Sequence, residues 1–98
     1  MYYVVLDWRE YHRLNPKARG CIFTSEDAAL DAAKSGDEII AVDNEAEARR
    51  VARAFHTMAG AAWAPNQSAA EREANEEAWQ KAARVLERAR ARLCNRGW

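Results

Sequence analysis

Apolar side chains recur at every second position in the first stretch of the chain. Residues 2–8 carry a large apolar side chain at each even position from Tyr2 to Trp8, and this period of two predicts a β-strand. Residues 20–23 and the run 37–42, which is apolar from Ile39, are rich in β-branched or aromatic side chains and predict two further strands. The pattern therefore indicates a small three-stranded sheet.

Three helices are predicted from a repeated start signal, a polar N-cap residue followed three positions later by an acid. The pairs are Thr24 with Asp27, Asn44 with Glu47, and Ser68 with Glu71. The first helix is expected to end near Gly36, and Pro65 separates the second helix from the third. The element order is then ββαβα followed by a long helix, which is an α+β fold.

The length of 98 residues leaves room for one hydrophobic core, so a single domain over residues 1–98 is expected. Within it we predict a ββαβα core over 1–62, a linker over 63–67 and a long C-terminal helix over 68–95. Hydrophobic residues make up 49% of the chain, which is enough to build that core.

Both long helices carry an apolar stripe. The second helix has one at spacings of three and four, formed by Ala48, Val51, Ala52, Phe55, Met58 and Ala59, as expected for a helix that lies on a sheet. The third has a seam like that of a coiled coil, formed by Trp79, Ala82, Leu86, Ala89 and Leu93.

A helix over 68–95 is about 40 Å long at 1.5 Å per residue, longer than the sheet beneath it. Its seam either folds back over the second helix or pairs with another chain. For the first half we expect packing within the chain. For the second half we expect a homodimer or a protein partner, with Trp98 as a candidate anchor because aromatic residues are enriched in binding hot spots.

Charge is balanced overall, with 15 basic and 15 acidic side chains, but it is unevenly distributed. Residues 24–47 carry eight acids against Lys34 alone, whereas residues 84–98 carry five arginines against Glu87. Such segregation favours oriented docking on a partner over general attraction to nucleic acid or lipid. Acids near the start and arginines near the end of the third helix also suit its dipole.

A family resemblance covers residues 1–59. It is carried by the runs 2–5, 20–25 and 42–48, the last leading to Phe55. These runs resemble the small ββαβα domain at the N-terminus of eukaryotic-type ribonuclease H and in viroplasmins. The resemblance implies a compact sheet-and-helix unit and binding of RNA–DNA hybrid or double-stranded RNA.

The residues that bind nucleic acid in that family are not retained. Glu26 stands where the family has a tryptophan, and Ile40 and Ala41 stand where it has lysines. An acidic or apolar side chain does not replace a phosphate contact. We therefore carry over the fold and not the function.

An insertion relative to that family, residues 9–19, mixes aromatic and basic side chains, as binding of single strands or backbone phosphates requires. The candidate nucleic-acid contacts are Arg9, Tyr11, Arg13, Lys17 and Arg19. The alternative, which we favour, is structural: Trp8 continues the buried side of the strand, while Tyr11 and Leu14 pack beneath a loop.

No catalytic or metal-binding constellation is evident. His12 and His56 are the only histidines, and no nucleophile, Walker, dinucleotide or HExxH pattern occurs. Cys21 and Cys94 are far apart and outside any CxxC motif, which favours reduced thiols in a cytoplasmic protein. No apolar stretch reaches the roughly 20 residues of a membrane span. We predict no enzyme and no cofactor.

Two functions remain from the sequence. The first is a protein-interaction module, an inhibitor or adaptor of the kind that phages and mobile elements encode, acting on a larger protein or nucleoprotein. The alternative is a nucleic-acid-binding module of the hybrid or double-stranded RNA type. The first is expected to work through the C-terminal helix and the second through the insertion.

Overall fold

The computed structural model describes residues 1–64 and 68–95, the side chains only as far as Arg92. Its elements are β1 (Tyr2–Leu6), α1 (Trp8–His12), β2 (Gly20–Phe23), α2 (Glu26–Ala32), β3 (Glu38–Val42), α3 (Glu45–Ala62) and α4 (Ala69–Asn95). This confirms the predicted α+β class, with a three-stranded sheet and a long last helix. Among the described residues, no helix is long and apolar enough to cross a membrane.

The first strand is shorter than predicted, because the chain turns at Asp7 and Trp8 begins a short helix. The Trp8 ring packs edge-on against Phe55, with ring centroids 4.8 Å apart, and its indole nitrogen donates to Glu38 at 2.9 Å. The alternating pattern fits a strand, but contacts with Phe55 and Glu38, which belong to distant elements, hold the Trp8 indole at the start of α1 instead. The prediction that Trp8 extends the strand is wrong.

Helix α2 begins one residue later and ends earlier than predicted. Its N-cap is Ser25, whose hydroxyl accepts a hydrogen bond from the Ala28 amide at 3.4 Å, and the helix stops at Ala32. The Thr24 cap was therefore wrong by one position. The Asn44 cap of α3 is as predicted, because its side-chain oxygen accepts from the Glu47 amide at 2.8 Å.

The three strands form an antiparallel sheet in the order β2-β1-β3. The register pairs Val4 with Ile22 on one side and with Ile40 on the other. Directly paired residues point to the same face of a sheet. Leu6 and its partner Glu38 therefore share a face with Val4 and Ile40.

Helices cover both faces of this sheet. Ala29 of α2 is completely buried where α2 packs on β1 and β2. On the opposite face lies the main core, in which Val4, Leu6 and Ile40 pack with Phe55 of α3. All four of these side chains are completely buried.

Gly20 allows α3 to approach the sheet closely. A Cβ atom at this position would lie 2.9 Å from the Cα of Ala52, which is closer than non-bonded carbons approach. Any larger residue would push α3 away from β2, so the glycine sets the height of α3 above the sheet.

Candidate functional site

The position of α3 determines which of its side chains face outward. Burial of Ala48, Val51 and Phe55 against the sheet turns the next positions of the helix toward its flank. Arg50 and Arg53 lie there and are exposed. They stand beside α4, which packs along α3.

Helix α4 begins with the predicted cap. The Ser68 hydroxyl accepts from the Glu71 amide at 3.2 Å and lies 3.2 Å from the Glu71 carboxylate. Further along, Ala82, Leu86 and Ala89 are buried in the same core as Phe55. The helix thus lies on α3 through its apolar seam.

A groove of about 340 Å³ runs between α3 and α4. Its small or apolar lining side chains are Ala54, Thr57, Ala78, Ala82 and Val85. Three cations complete the lining: Arg50 and Arg53 from α3 and Lys81 from α4. We call this the cationic groove.

The groove continues at one end into a smaller cavity of about 40 Å³, with which it shares Arg50 and Val85. Arg88 and Arg92 also line this cavity. Glu47, whose side chain is only 11% exposed, is the acid of the cavity and forms an ion pair with Arg92. The end of the groove is therefore more basic than acidic.

The cations of the groove and Arg88 of the adjoining cavity differ from Arg92 in their pairing. Within the part of the chain that the structure describes, Arg50, Arg53, Lys81 and Arg88 form no ion pair or hydrogen bond through their side chains. Apolar lining beside uncompensated positive charge suits a ligand that is apolar on one face and acidic at its edges.

A separate interaction fixes α4 against the sheet. Both oxygens of Glu38 accept from Arg90, each at 2.6 Å, and Trp8 donates to the same carboxylate. The Arg90 guanidinium also lies 6.0 Å from the centre of the Trp8 ring. We call Trp8, Glu38 and Arg90 the latch.

The latch perturbs the titration of both charged partners. Burial alone would raise the pKa of Glu38, but the hydrogen bonds from Arg90 and Trp8 and the Arg90 charge outweigh it and lower that pKa. The hydrogen bond to Glu38 raises the pKa of Arg90. Both shifts favour the ionised pair, so the latch is charged at neutral pH.

The predicted partner-binding seam of α4 is used inside the chain. Leu86 is 1% exposed and Ala89 is 2% exposed, so the expectation that the second half of the seam is available to a partner is wrong for both. Trp79 is partly buried and donates to the Tyr11 hydroxyl at 3.0 Å, and Ala82 is buried. The side chains of Leu93 and Trp98 lie outside the described residues.

The insertion does not present its aromatic side chain. Tyr11 is buried against Phe55 and Trp63, so its predicted role in stacking on a base is wrong. Leu14, expected beneath a loop, is 60% exposed. The structural alternative therefore holds for Tyr11 and fails for Leu14.

The basic residues of the insertion lie among acids. Arg9 and Arg13 are 3.7 and 3.6 Å from Glu10. Arg19 lines a depression of about 270 Å³ together with Arg9, Lys34, Asp7, Glu10 and Asp37. Lys17 is exposed. The acids offset the basic charge that a phosphate backbone would require.

Sequence reasoning missed the cationic groove. In the sequence, Arg50 and Arg53 are simply positions outside the apolar stripe of α3, and the arginines near the end of α4 are residues suited to its dipole. Only the packing of α4 on α3 brings the two sets together. The usable signal was the run of Arg49, Arg50 and Arg53 on α3 together with the excess of arginine in the second half of α4.

Comparison of the chain with protein-family models, with characterised proteins and with solved structures gave no match. The resemblance to the hybrid-binding domain of ribonuclease H thus stays a prediction. Any assignment of function rests on the groove, the latch and the faces of α4.

Proposed function

We propose that this chain is a non-catalytic protein-binding module whose cationic groove docks an acidic helical segment of a partner protein. By occupying that segment it acts as an inhibitor or adaptor. The proposal includes the cytoplasmic location predicted from the two cysteines outside any pairing motif. The observation that carries it is an apolar groove bordered by Arg50, Arg53 and Lys81 without acidic partners among the described residues.

The lining favours a peptide over single-stranded nucleic acid. An amphipathic helix buries its apolar face in a groove and presents its charged edges to the rim. Ala54, Ala78 and Val85 offer that apolar contact. Single-stranded nucleic acid, by contrast, stacks its bases on aromatic side chains, and the described lining contains none.

Fluorescence anisotropy with a labelled synthetic helix tests the proposal. The probe carries leucines at spacings of three and four with glutamates on both flanks, and the reference peptide has glutamine at every glutamate. We expect the acidic peptide to bind more tightly than the glutamine peptide, and the difference to shrink at high salt because exposed charges are then screened. Equal binding of the two peptides, or none of either, would contradict the proposal.

Variants then locate the site. Combined Arg50→Ala and Arg53→Ala is expected to weaken binding of the acidic peptide about tenfold or more, since two of the three charges of the groove are lost. The matched control is Arg49→Ala, because Arg49 is exposed and already paired with Glu45 at 2.6 Å. A control variant that weakens binding equally would show that the groove is not the site.

The same assay includes RNA–DNA hybrid and duplex RNA. Salt-dependent binding of either that depends on Arg50 and Arg53, with no preference for the acidic peptide, would move the assignment to the nucleic-acid alternative. If nucleic-acid binding depends instead on Arg9, Arg13 and Lys17, the insertion over residues 9–19 is the nucleic-acid site.

A further inference from the structure

The outer face of α4 carries exposed charges in an order that is complementary to itself. Two acids, Glu73 and Glu77, come first, and two arginines, Arg84 and Arg88, come later; all four are exposed. The midpoint between Gln80 and Lys81 is the centre of two pairs of opposite charge, Glu73 with Arg88 and Glu77 with Arg84. We call this set of six residues the outer stripe.

We propose that two copies of this chain associate through their outer stripes, with the α4 helices antiparallel about a two-fold axis near Gln80 and Lys81. In such an isologous contact, if one residue of the first copy meets a second residue of the other copy, the reverse contact occurs as well. Glu73 of one copy then faces Arg88 of the other, and Glu77 faces Arg84. Every charge pair therefore occurs twice, over about 22 Å of helix.

Within one chain the charges of the outer stripe are only weakly compensated, by Lys81 four residues after Glu77. Among the described residues, none of the four forms an ion pair. The two acids are four residues apart, as are the two arginines, and like charges at that spacing destabilise an isolated helix. A second copy supplies the missing opposite charge to all four.

The helix dipole does not account for the stripe. Its effect is confined to the first and last turns of a helix. Glu77 lies in the third turn of α4, and Arg84 lies eleven positions before the end at Asn95. Charge at these positions is therefore free to serve an external contact.

The face is sterically open to a second helix. Ala70 and Ala74 flank the acidic half and Ala91 the basic half, and each of these three is exposed. Small side chains allow two helix backbones to approach closely. The buried seam of α4 is on the other side, so this pairing leaves the core intact and differs from the dimer predicted from the sequence.

Sedimentation at two ionic strengths tests the association. At about 0.01 M, where the Debye length is about 30 Å, we expect a concentration-dependent shift from 11.1 kDa toward twice that mass. At about 1 M, where it is about 3 Å, we expect the monomer. A monomer at every concentration at low salt would overturn the proposal.

Charge reversal identifies the surface. Glu73→Arg with Glu77→Arg places arginine at all four charge-pair positions of the stripe, and Arg84→Glu with Arg88→Glu places glutamate at all four. Each variant alone is expected to associate at least about tenfold more weakly than the native chain, because each reversed residue occurs twice in the dimer. An equimolar mixture is expected to form a heterodimer, since every pair is again complementary.

Circular dichroism of each variant establishes that it folds before the mixture is made. Variants that self-associate as the native chain does, or a mixture of folded variants that stays monomeric, would refute the outer stripe. This inference does not rest on the proposed function. The variant reversed at Glu73 and Glu77 keeps every cation of the groove, so it separates loss of the dimer from loss of peptide binding.

Discussion

The inner face of α4 packs on α3 and the sheet, and its outer face carries the outer stripe. The two faces differ in the partners that their side chains contact. On the inner face Leu86 is completely enclosed by the core, and Arg90 is held by both oxygens of Glu38. On the outer face Arg84 and Arg88 are exposed and form no ion pair with any described residue. One face of the helix stabilises the fold, and the other offers charge to a partner.

The difference shows which sequence feature indicates binding. An apolar seam such as that of Leu86 indicates burial, and here it is buried against α3 of the same chain. Charges that remain uncompensated after folding are the better indicator, because nothing in the chain offsets them. The partner surface is therefore better sought among the arginines than along the seam.

The largest predicted effect tests whether the inner face is docked in solution. Leu86→Ala is expected to lower the free energy of unfolding by about 2 to 5 kcal/mol, because it removes a fully buried side chain and leaves a cavity. Arg84→Ala, two positions away on the outer face, is expected to change it by less than about 0.5 kcal/mol. Urea unfolding of both variants measures the contrast.

If Leu86→Ala and Arg84→Ala both change the free energy of unfolding only slightly, the contrast between the two faces of α4 is contradicted. Such small changes would mean that α4 is not packed on α3, and the seam would again be available to another chain.

The latch gives the next largest effect. Glu38→Gln is expected to cost about 1 to 2 kcal/mol, less than a fully buried ion pair because both partners remain partly exposed. The control is Glu45→Gln, which removes an exposed pair with Arg49 and is expected to cost about 0.5 kcal/mol or less. Equal costs for the two would show that the latch adds nothing beyond a surface ion pair.

The latch also predicts how stability depends on pH. Because folding lowers the pKa of Glu38 below its ordinary value of 4.5, the folded chain binds that proton more weakly than the unfolded chain. The stabilisation of the folded state by the Glu38 carboxylate is therefore complete above pH 4.5. It is lost as pH falls through the lowered pKa of Glu38 in the folded chain. The stability gap between the native chain and Glu38→Gln, measured by urea unfolding, should narrow over that range. A gap that is constant with pH would contradict a charged latch.

Local patterns were enough to predict much of the fold. Alternation and apolar runs placed the three strands, and the caps at Asn44 and Ser68 placed the starts of α3 and α4. The stripe from Ala48 to Ala59 correctly indicated the side of α3 that lies on the sheet. These features depend on residues close in sequence, which is why they could be read directly.

The misses depend on contacts between distant residues. Trp8 is half-buried beside Phe55 and Glu38, both remote in sequence, so alternation alone assigned it to the strand. The cationic groove combines Arg50 with Lys81 only after α4 packs on α3. The self-complementary order of the outer stripe was present in the sequence, but it carried meaning only once those residues were found exposed.

The smallest predicted effect is on the outer face, and its sign is opposite to that of losing the latch. Arg88→Gln is expected to raise the free energy of unfolding by about 0.2 to 0.5 kcal/mol, because it removes the repulsion between Arg88 and Arg84, four residues away. Arg90→Gln is expected to lower it, because Glu38 loses its bidentate donor. Both are measured by urea unfolding at submicromolar protein concentration, so that association does not add to stability. A loss of stability in Arg88→Gln as large as that in Arg90→Gln would mean that Arg88 serves the fold, and the outer face would no longer be distinct from the inner one.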